Sequence, residues 1–201
     1  PAEWLERINT TGFNTTGVQY VPDEIDHRQF IAYEGLNIRK YQDPVSHFAR
    51  IGKPFPKTLL GYRASDRKID QLQSMTPQSI RQSDIPEDYQ FARAAHFCSM
   101  DFLTHSLIPS ILRQNGVNTI TLDPGEGYMN SSFKDHVPSL MPGLTAFMPS
   151  ENQIRSLYEG STGDLWSMAE DLSSYGCEII VITKGIDGQY LYDARSKDRF
   201  V

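Results

Sequence analysis

The sequence predicts an α/β fold, a doubly wound and mostly parallel sheet, and three features predict it. From Ala92 onward, short apolar runs of strand character alternate with segments of helical period. Asn115-Gly116 and Gly176 stand where two of those helices should end, because glycine takes the left-handed conformation of a helix C-terminus without strain. The run Glu178–Thr183 is the strongest strand in the chain. Strands alternating with helices imply parallel pairing through right-handed crossovers, and such sheets gather their chemistry at the carboxyl ends of the strands.

Taken in order, Glu3 to Thr10 predicts a short amphipathic helix with Trp4, Leu5 and Ile8 on one face. Val18–Val21 and Gln29–Tyr33 predict two adjacent strands around a turn at Pro22-Asp23-Glu24. Residues 36–90 form an irregular insertion and connection with little periodicity. Between Asn37 and Asp70 there are eight Lys/Arg against three Asp/Glu, which reads as a solvated surface or as an anion-binding stretch.

The core is expected over 92–201. Ala94–Met100 is a buried strand and Leu103–Gln114 a helix with Leu103, Leu107, Ile108, Ile111 and Leu112 inward. Val117–Leu122 is the next strand, Phe133–Leu140 a short helix, and Leu144–Met148 a strand. Ser150 caps a helix to about Tyr158, and Thr162–Tyr175 forms another with Leu165, Met168, Ala169 and Leu172 inward. Gln189–Tyr192 is the last strand. The whole reads as one incomplete α/β domain over 1–201.

Composition narrows the function classes. With 201 residues, 39% apolar and 22% charged, the chain is an ordinary globular one. A net charge of -6 argues against a nucleic-acid surface, and no run approaches the ~20 apolar residues of a membrane span. Cys98 and Cys177 are expected to be buried free thiols in a reducing, cytoplasmic setting. Pro1-Ala2-Glu3-Trp4 resembles a helix already under way, and the chain stops on Phe200-Val201, so a longer polypeptide is expected.

Three strand ends carry polar or glycine-rich sequence. Thr183-Lys184-Gly185-Ile186-Asp187-Gly188 has two glycines that let backbone approach a ligand, with a hydroxyl, free amides and a lysine suited to phosphate; it is equally a turn between strands. Asp123-Pro124-Gly125-Glu126-Gly127 is a ligand-facing acidic turn or a plain strand terminator. Ser150-Glu151-Asn152-Gln153 opens a helix, where free amides favour an anion or a side chain simply caps. His27, His47, His96, His105 and His136 lack metal-ligand spacing. Neither the dinucleotide nor the Walker glycine pattern occurs, and there is no nucleophile elbow.

The order of these three ends resembles the ribokinase-like (PfkB) carbohydrate and nucleoside kinases, whose Thr-x-Gly-x-x-Gly nucleotide loop is matched by Thr183 to Gly188 at every fixed position. The resemblance covers 92–193 well and 3–35 loosely. It implies ATP-dependent phosphotransfer, with Mg2+, to a hydroxymethyl group of a sugar or nucleoside. Thr183, Lys184, Gly185, Ile186, Asp187 and Gly188 would then contact the ATP phosphates and ribose, with Ser150 and Gln153 also in the nucleotide site; Asp101 would bind a substrate hydroxyl, and Asp123 would lie near the phosphate path. The strands within 17–35 would belong to a small β lid, whose edges in this family often pair in homodimers.

The departures are equally specific. Ser150 and Gln153 occupy the family's Asn-x-x-Glu positions, so the charge that would hold a hydrated metal is absent there. The Gly-Gly substrate motif would precede Pro1, and the Gly-Ala-Gly-Asp segment with the catalytic base would follow Val201. The alternative is a degenerate ribokinase-like protein that binds a ligand or partner without phosphotransfer; an unrelated dehydrogenase or transferase would need a glycine fingerprint that is missing.

Overall fold

The computed structural model describes residues 2–21, 28, 30–34, 38–62, 70–159 and 163–201. The chain divides into two compact units, one of Pro1–Tyr20 with Ile69–Val201 and one of Val21–Lys68. The expected turn at Pro22-Asp23-Glu24 and the start of the helix expected from Thr162 lie outside the described residues.

The larger unit opens with helix α1, Ala2–Thr10. Its apolar face is open: Trp4 and Ile8 are exposed, as is Phe13 beyond the helix. Val18–Val21 is irregular rather than a strand. Gly17 and Tyr89 explain this locally, because the Tyr89 hydroxyl donates to the Asn14 carbonyl at 2.7 Å and its ring lies where a Cβ on Gly17 would stand.

In the smaller unit a hairpin pairs β1 (Ala32–Glu34) antiparallel with β2 (Ile38–Lys40). Helix α2, Pro44–Arg50, follows in a stretch whose sequence showed no period. It is specified by its start: Asp43 accepts from the Ser46 amide at 3.1 Å, and Pro44 supplies a preset φ. Phe30 is buried against His47 and Phe48, with ring centroids 5.3 and 6.1 Å away.

The larger unit is built on a sheet of β3 (Ala94–Phe97), β4 (Thr119–Leu122), β5 (Ala146–Phe147), β6 (Ile179–Thr183), β7 (Gln189–Asp193) and β8 (Arg199–Phe200), adjacent in that order. β3 through β6 pair in parallel, and β7 and β8 are added antiparallel. This is the expected α/β class with a mostly parallel sheet. Helices α3 (Phe102–Gln114), α4 (Glu151–Leu157) and α5 (Leu165–Ser174) make the connections. Phe97, Leu122, Phe147, Ile180 and Tyr192 form one register row across five strands, and all five are buried in the core. Ile108 and Leu112 of α3, Ile154 and Leu157 of α4, and Leu165, Met168, Ala169 and Leu172 of α5 complete the same core.

Local signals set the ends of these elements. α3 stops at Asn115, with Gly116 at φ 94 and the Val117 amide returning to the Leu112 carbonyl at 3.0 Å. α5 is capped by Asp164 and released by Gly176 at φ 109. The expected helix Phe133–Leu140 is instead two 3-10 turns, Ser131–Phe133 and Val137–Leu140, because Pro138 lacks the amide a continuous helix would use. Leu107 was expected inward and is exposed. The buried stripe of α3 takes Thr104 and His105 in its place, hydrogen-bonded to the Ile80 amide and the buried Tyr128 hydroxyl. Cys98 is exposed, since it follows the core-facing Phe97 on a strand that alternates faces, whereas Cys177 is buried and burial pushes its thiol up to about 12. Among the described residues no helix is long and apolar enough to cross a membrane.

Phe147 sits in the middle of the buried row on a two-residue strand. Phe147→Ala should lower the unfolding free energy by about 3–5 kcal/mol, measured by denaturant titration. A loss below about 1 kcal/mol would mean that this row does not anchor the sheet.

Candidate functional site at the carboxyl rim of the sheet

Parallel pairing of β4, β5 and β6 places their carboxyl ends on one rim, so Asp123–Gly127, Pro149–Gln153 and Thr183–Gly188 are brought together. The backbone ties them further. The Thr183 amide donates to the Pro149 carbonyl at 3.0 Å, extending the ladder through a parallel bridge between Ser150 and Thr183. The Asp123 amide donates to the Phe97 carbonyl at 2.8 Å, and the Met148 amide to the Leu122 carbonyl at 2.9 Å.

The segment from Lys184 to Gly188 closes the β6–β7 hairpin. Its Lys184 amide donates to the Gly188 carbonyl at 2.8 Å, and Gly185–Asp187 form a single 3-10 turn. Lys184 at φ -121 is followed by Gly185 at φ 61, a reversal of sign that turns successive N–H groups toward one side, as in an anion-binding nest. The amides of Gly185 and Ile186 have no hydrogen-bond partner among the described residues. The space around Gly185 and Gly188 is open, and Ile186 is 82% exposed. Asp187 is exposed too, and its amide closes the turn onto the Lys184 carbonyl at 3.2 Å. The Lys184 ammonium rests 5.0 Å from the centroid of the Tyr190 ring, which packs against Trp166 at 4.6 Å.

Ser150 and Gln153 form a reciprocal capping box at the start of α4. Gln153 Oε1 accepts from the Ser150 amide at 2.7 Å and from the Ser150 hydroxyl at 3.0 Å, while its Nε2 donates to the Pro124 carbonyl at 2.8 Å. These two side chains are therefore committed to each other and to the neighbouring strand end, and do not fit a metal-organising role. Among the described residues no group of three or more His, Cys, Asp or Glu side chains is placed to hold a metal ion.

Gly125 lets the Asp123–Gly127 turn lie against the β3–α3 connection: a Cβ there would stand 2.0 Å from the Met100 carbonyl oxygen. The Gly127 carbonyl accepts from the Asp70 amide at 3.1 Å and from Asn130 Nδ2 at 3.0 Å. The Asp123 carboxylate, by contrast, makes no hydrogen bond among the described residues; burial raises its pKa, and His96 nearby works in the opposite direction. Asp101 stands on the β3–α3 connection as expected, but as the N-cap of α3: its oxygens accept from the Thr104 amide at 3.1 Å and the Thr104 hydroxyl at 2.7 Å.

Three rim residues escaped the sequence reading. Asp70 accepts from the Phe102 amide at 2.8 Å, and burial raises its pKa. His105, 1% exposed, and Tyr128, fully buried, share a 2.6 Å hydrogen bond behind the Asp123 turn. No spacing pattern links 70, 105 and 128, so only the fold brings them together. A hint existed for Tyr128 alone, an aromatic residue directly after an acidic, glycine-rich turn.

No family model and no curated protein matches the sequence. Solved structures do. Ribokinase-like kinases match this chain. Ribokinase from Giardia lamblia is similar at 14% identity and a TM-score of 0.45, over 56% of this chain and 36% of that one. A PfkB protein from Polaromonas gives 18% and 0.43, over 56% and 42%. A putative ribokinase II from E. coli, in complex with ATP and magnesium, gives 19% and 0.39, over 52% and 36%. The match thus spans less than half the length of each of these proteins.

Gly125→Ala should force the turn off the Met100 carbonyl and cost about 3 kcal/mol of stability in chemical denaturation. Burial lowers the pKa of His105 from 6.5 to about 4, so the folded state keeps it neutral where the unfolded chain binds a proton. Its contribution is complete above pH 6.5 and declines as pH falls toward 4, by about 3 kcal/mol. Stability measured across that range should fall less steeply in His105→Gln.

Proposed function

We propose that the parent protein transfers the γ-phosphate of ATP, with Mg2+, to a hydroxymethyl group of a small sugar or nucleoside, and that the β6–β7 loop of this chain cradles the polyphosphate. The observation that carries the reading is the open nest at Gly185 and Ile186, with its unpartnered amides, on the same rim as Asp123 and Ser150. Two outward amides are suited to phosphate oxygens, and Thr183 and Lys184 directly before them in the chain offer a hydroxyl and an ammonium. Lys184 can leave the Tyr190 ring at modest cost, since a half-buried cation–π contact is worth about 1–2 kcal/mol.

Phosphoryl transfer asks for positioning and neutralisation of charge more than for covalent chemistry. The acceptor hydroxyl attacks the γ-phosphorus, the bond to the β–γ bridging oxygen breaks, ADP leaves, and a base takes the hydroxyl proton. In this reading the loop holds the donor phosphates, and Asp123 faces the path between donor and acceptor. Its raised pKa suits a group that orients a hydroxyl, while the base itself belongs to the full-length polypeptide. Asp101 would meet the acceptor through whichever lone pairs its cap on α3 leaves over.

The full-length protein should be stabilised by ATP with Mg2+, by about 2.7 kcal/mol at a hundredfold excess over Kd. Gly185→Asp should abolish this, because the change puts a carboxylate beside the nest and a side chain at φ 61. Thermal unfolding with and without nucleotide checks both; an unshifted wild-type transition would sink the phosphate reading. Protection without turnover over a panel of sugars and nucleosides would point to the binding-module alternative.

A further inference from the structure

Behind the rim runs a chain of polar groups centred on two buried side chains, His105 and Tyr128. His105 Nε2 lies 3.0 Å from the Cys98 carbonyl oxygen, and His105 Nδ1 lies 2.6 Å from the Tyr128 hydroxyl. A carbonyl can only accept, so Nε2 carries the proton and Nδ1 must accept from the phenol. The Tyr128 ring itself packs on the turn, where a Cβ on Gly125 would stand 3.3 Å from its Cε1. The direction of both hydrogen bonds is thereby fixed: Tyr128 O–H to His105 Nδ1, and His105 Nε2–H to the Cys98 carbonyl. One neutral imidazole links the end of β3 to the turn that follows β4. Aromatic rings pack around it, with Phe97 6.1 Å and Tyr128 5.7 Å from the imidazole centroid and Phe102 5.5 Å from that of Tyr128. The charged groups around the chain are Asp101, Asp70 and Asp123, all acidic.

We propose that His105 and Tyr128 are positioning residues of the rim site: they set the Asp123–Gly127 turn, and with it the Asp123 carboxylate and the Pro124 carbonyl that holds Gln153, without touching any ligand. Two independent attachments define where this turn stands. Gln153 fixes Pro124 from the α4 side, and the His105 bond to Tyr128, the residue directly after the turn, fixes its other end from the β3 side. A conventional core pair at this place would be apolar. A histidine and a tyrosine here are explained by the Cys98 carbonyl of the connection, which needs a donor, and by the second imidazole nitrogen, which needs one in turn, since a buried polar group without a partner is costly.

The binding arm of the test rests on the phosphate reading above; the exchange arm does not. Full-length wild type, Tyr128→Phe and His105→Gln are compared by amide hydrogen exchange and by calorimetric titration with ATP and Mg2+. In Tyr128→Phe the Asp70 and Asn130 amides, which bond the Gly127 and Tyr128 carbonyls, should exchange about tenfold faster while those of β6 keep their protection. His105→Gln, which retains one donor and one acceptor, should restore most of that protection. ATP affinity should fall in Tyr128→Phe in parallel with the exchange change. Unaltered turn exchange in Tyr128→Phe overturns the proposal. So does a 15N spectrum of wild type showing His105 protonated on Nδ1 at neutral pH, which decides the matter even if both variants fail to fold. If wild type binds no ATP, the phosphate reading fails, and the exchange comparison still decides the positioning role.

Discussion

The site depends on the register of three short parallel strands. β5 contributes only Ala146 and Phe147, and Phe147 is the middle member of the row Phe97, Leu122, Phe147, Ile180, Tyr192. Side chains alternate faces with period two, so a slip of one residue would turn Phe147 out of the core. The same slip would carry Ser150 away from Thr183 and Gln153 away from Pro124. Burial of one aromatic ring and alignment of the rim are therefore a single constraint. The hydrogen bonds at the rim add precision to a placement that apolar packing has already made.

Polar groups on this rim divide into two kinds. Asp70, Asp101, Ser150 and Gln153 are committed to amides, hydroxyls and a carbonyl of the protein itself. The Asp123 carboxylate and the Gly185 and Ile186 amides have no such partner among the described residues. The first kind holds the scaffold and the second is left for something else. Gln153 shows why the distinction matters. A glutamate at the same position would keep the acceptor toward Ser150 and lose the donor toward Pro124, replacing an attraction with a repulsion between oxygens. The amide is thus suited to joining strand ends, and its neutrality follows from that role.

The site's hydrogen-bond partners come from residues far apart in the chain. Phe102 is bonded by Asp70, Pro124 by Gln153 and Tyr128 by His105. Each bond joins the end of one strand–helix unit to another. The rim is therefore cross-linked between units, which is where a ligand-binding rim needs rigidity, while the loop over Gly185–Gly188 remains open and exposed.

Much of this was legible in local sequence. The capping box at Ser150, the helix ends at Gly116 and Gly176, the strand Ile179–Thr183 and the glycine loop after it all rest on interactions within a few residues, and the structure places them as the sequence does. What the local signals left undecided was settled by partners distant in the chain. Val18–Val21 has the residues of a strand but pairs with no strand among the described residues. Leu107 fits the helical period, yet Thr104 and His105 take the inward places because Ile80, Cys98 and Tyr128 satisfy them. The sequence by itself determined the alternation of elements and the three strand-end segments, since propensity, period and capping act over one or two turns of chain. Only the tertiary structure decided which polar groups those segments leave free, because satisfying a buried hydrogen bond requires a partner that no spacing rule foretells.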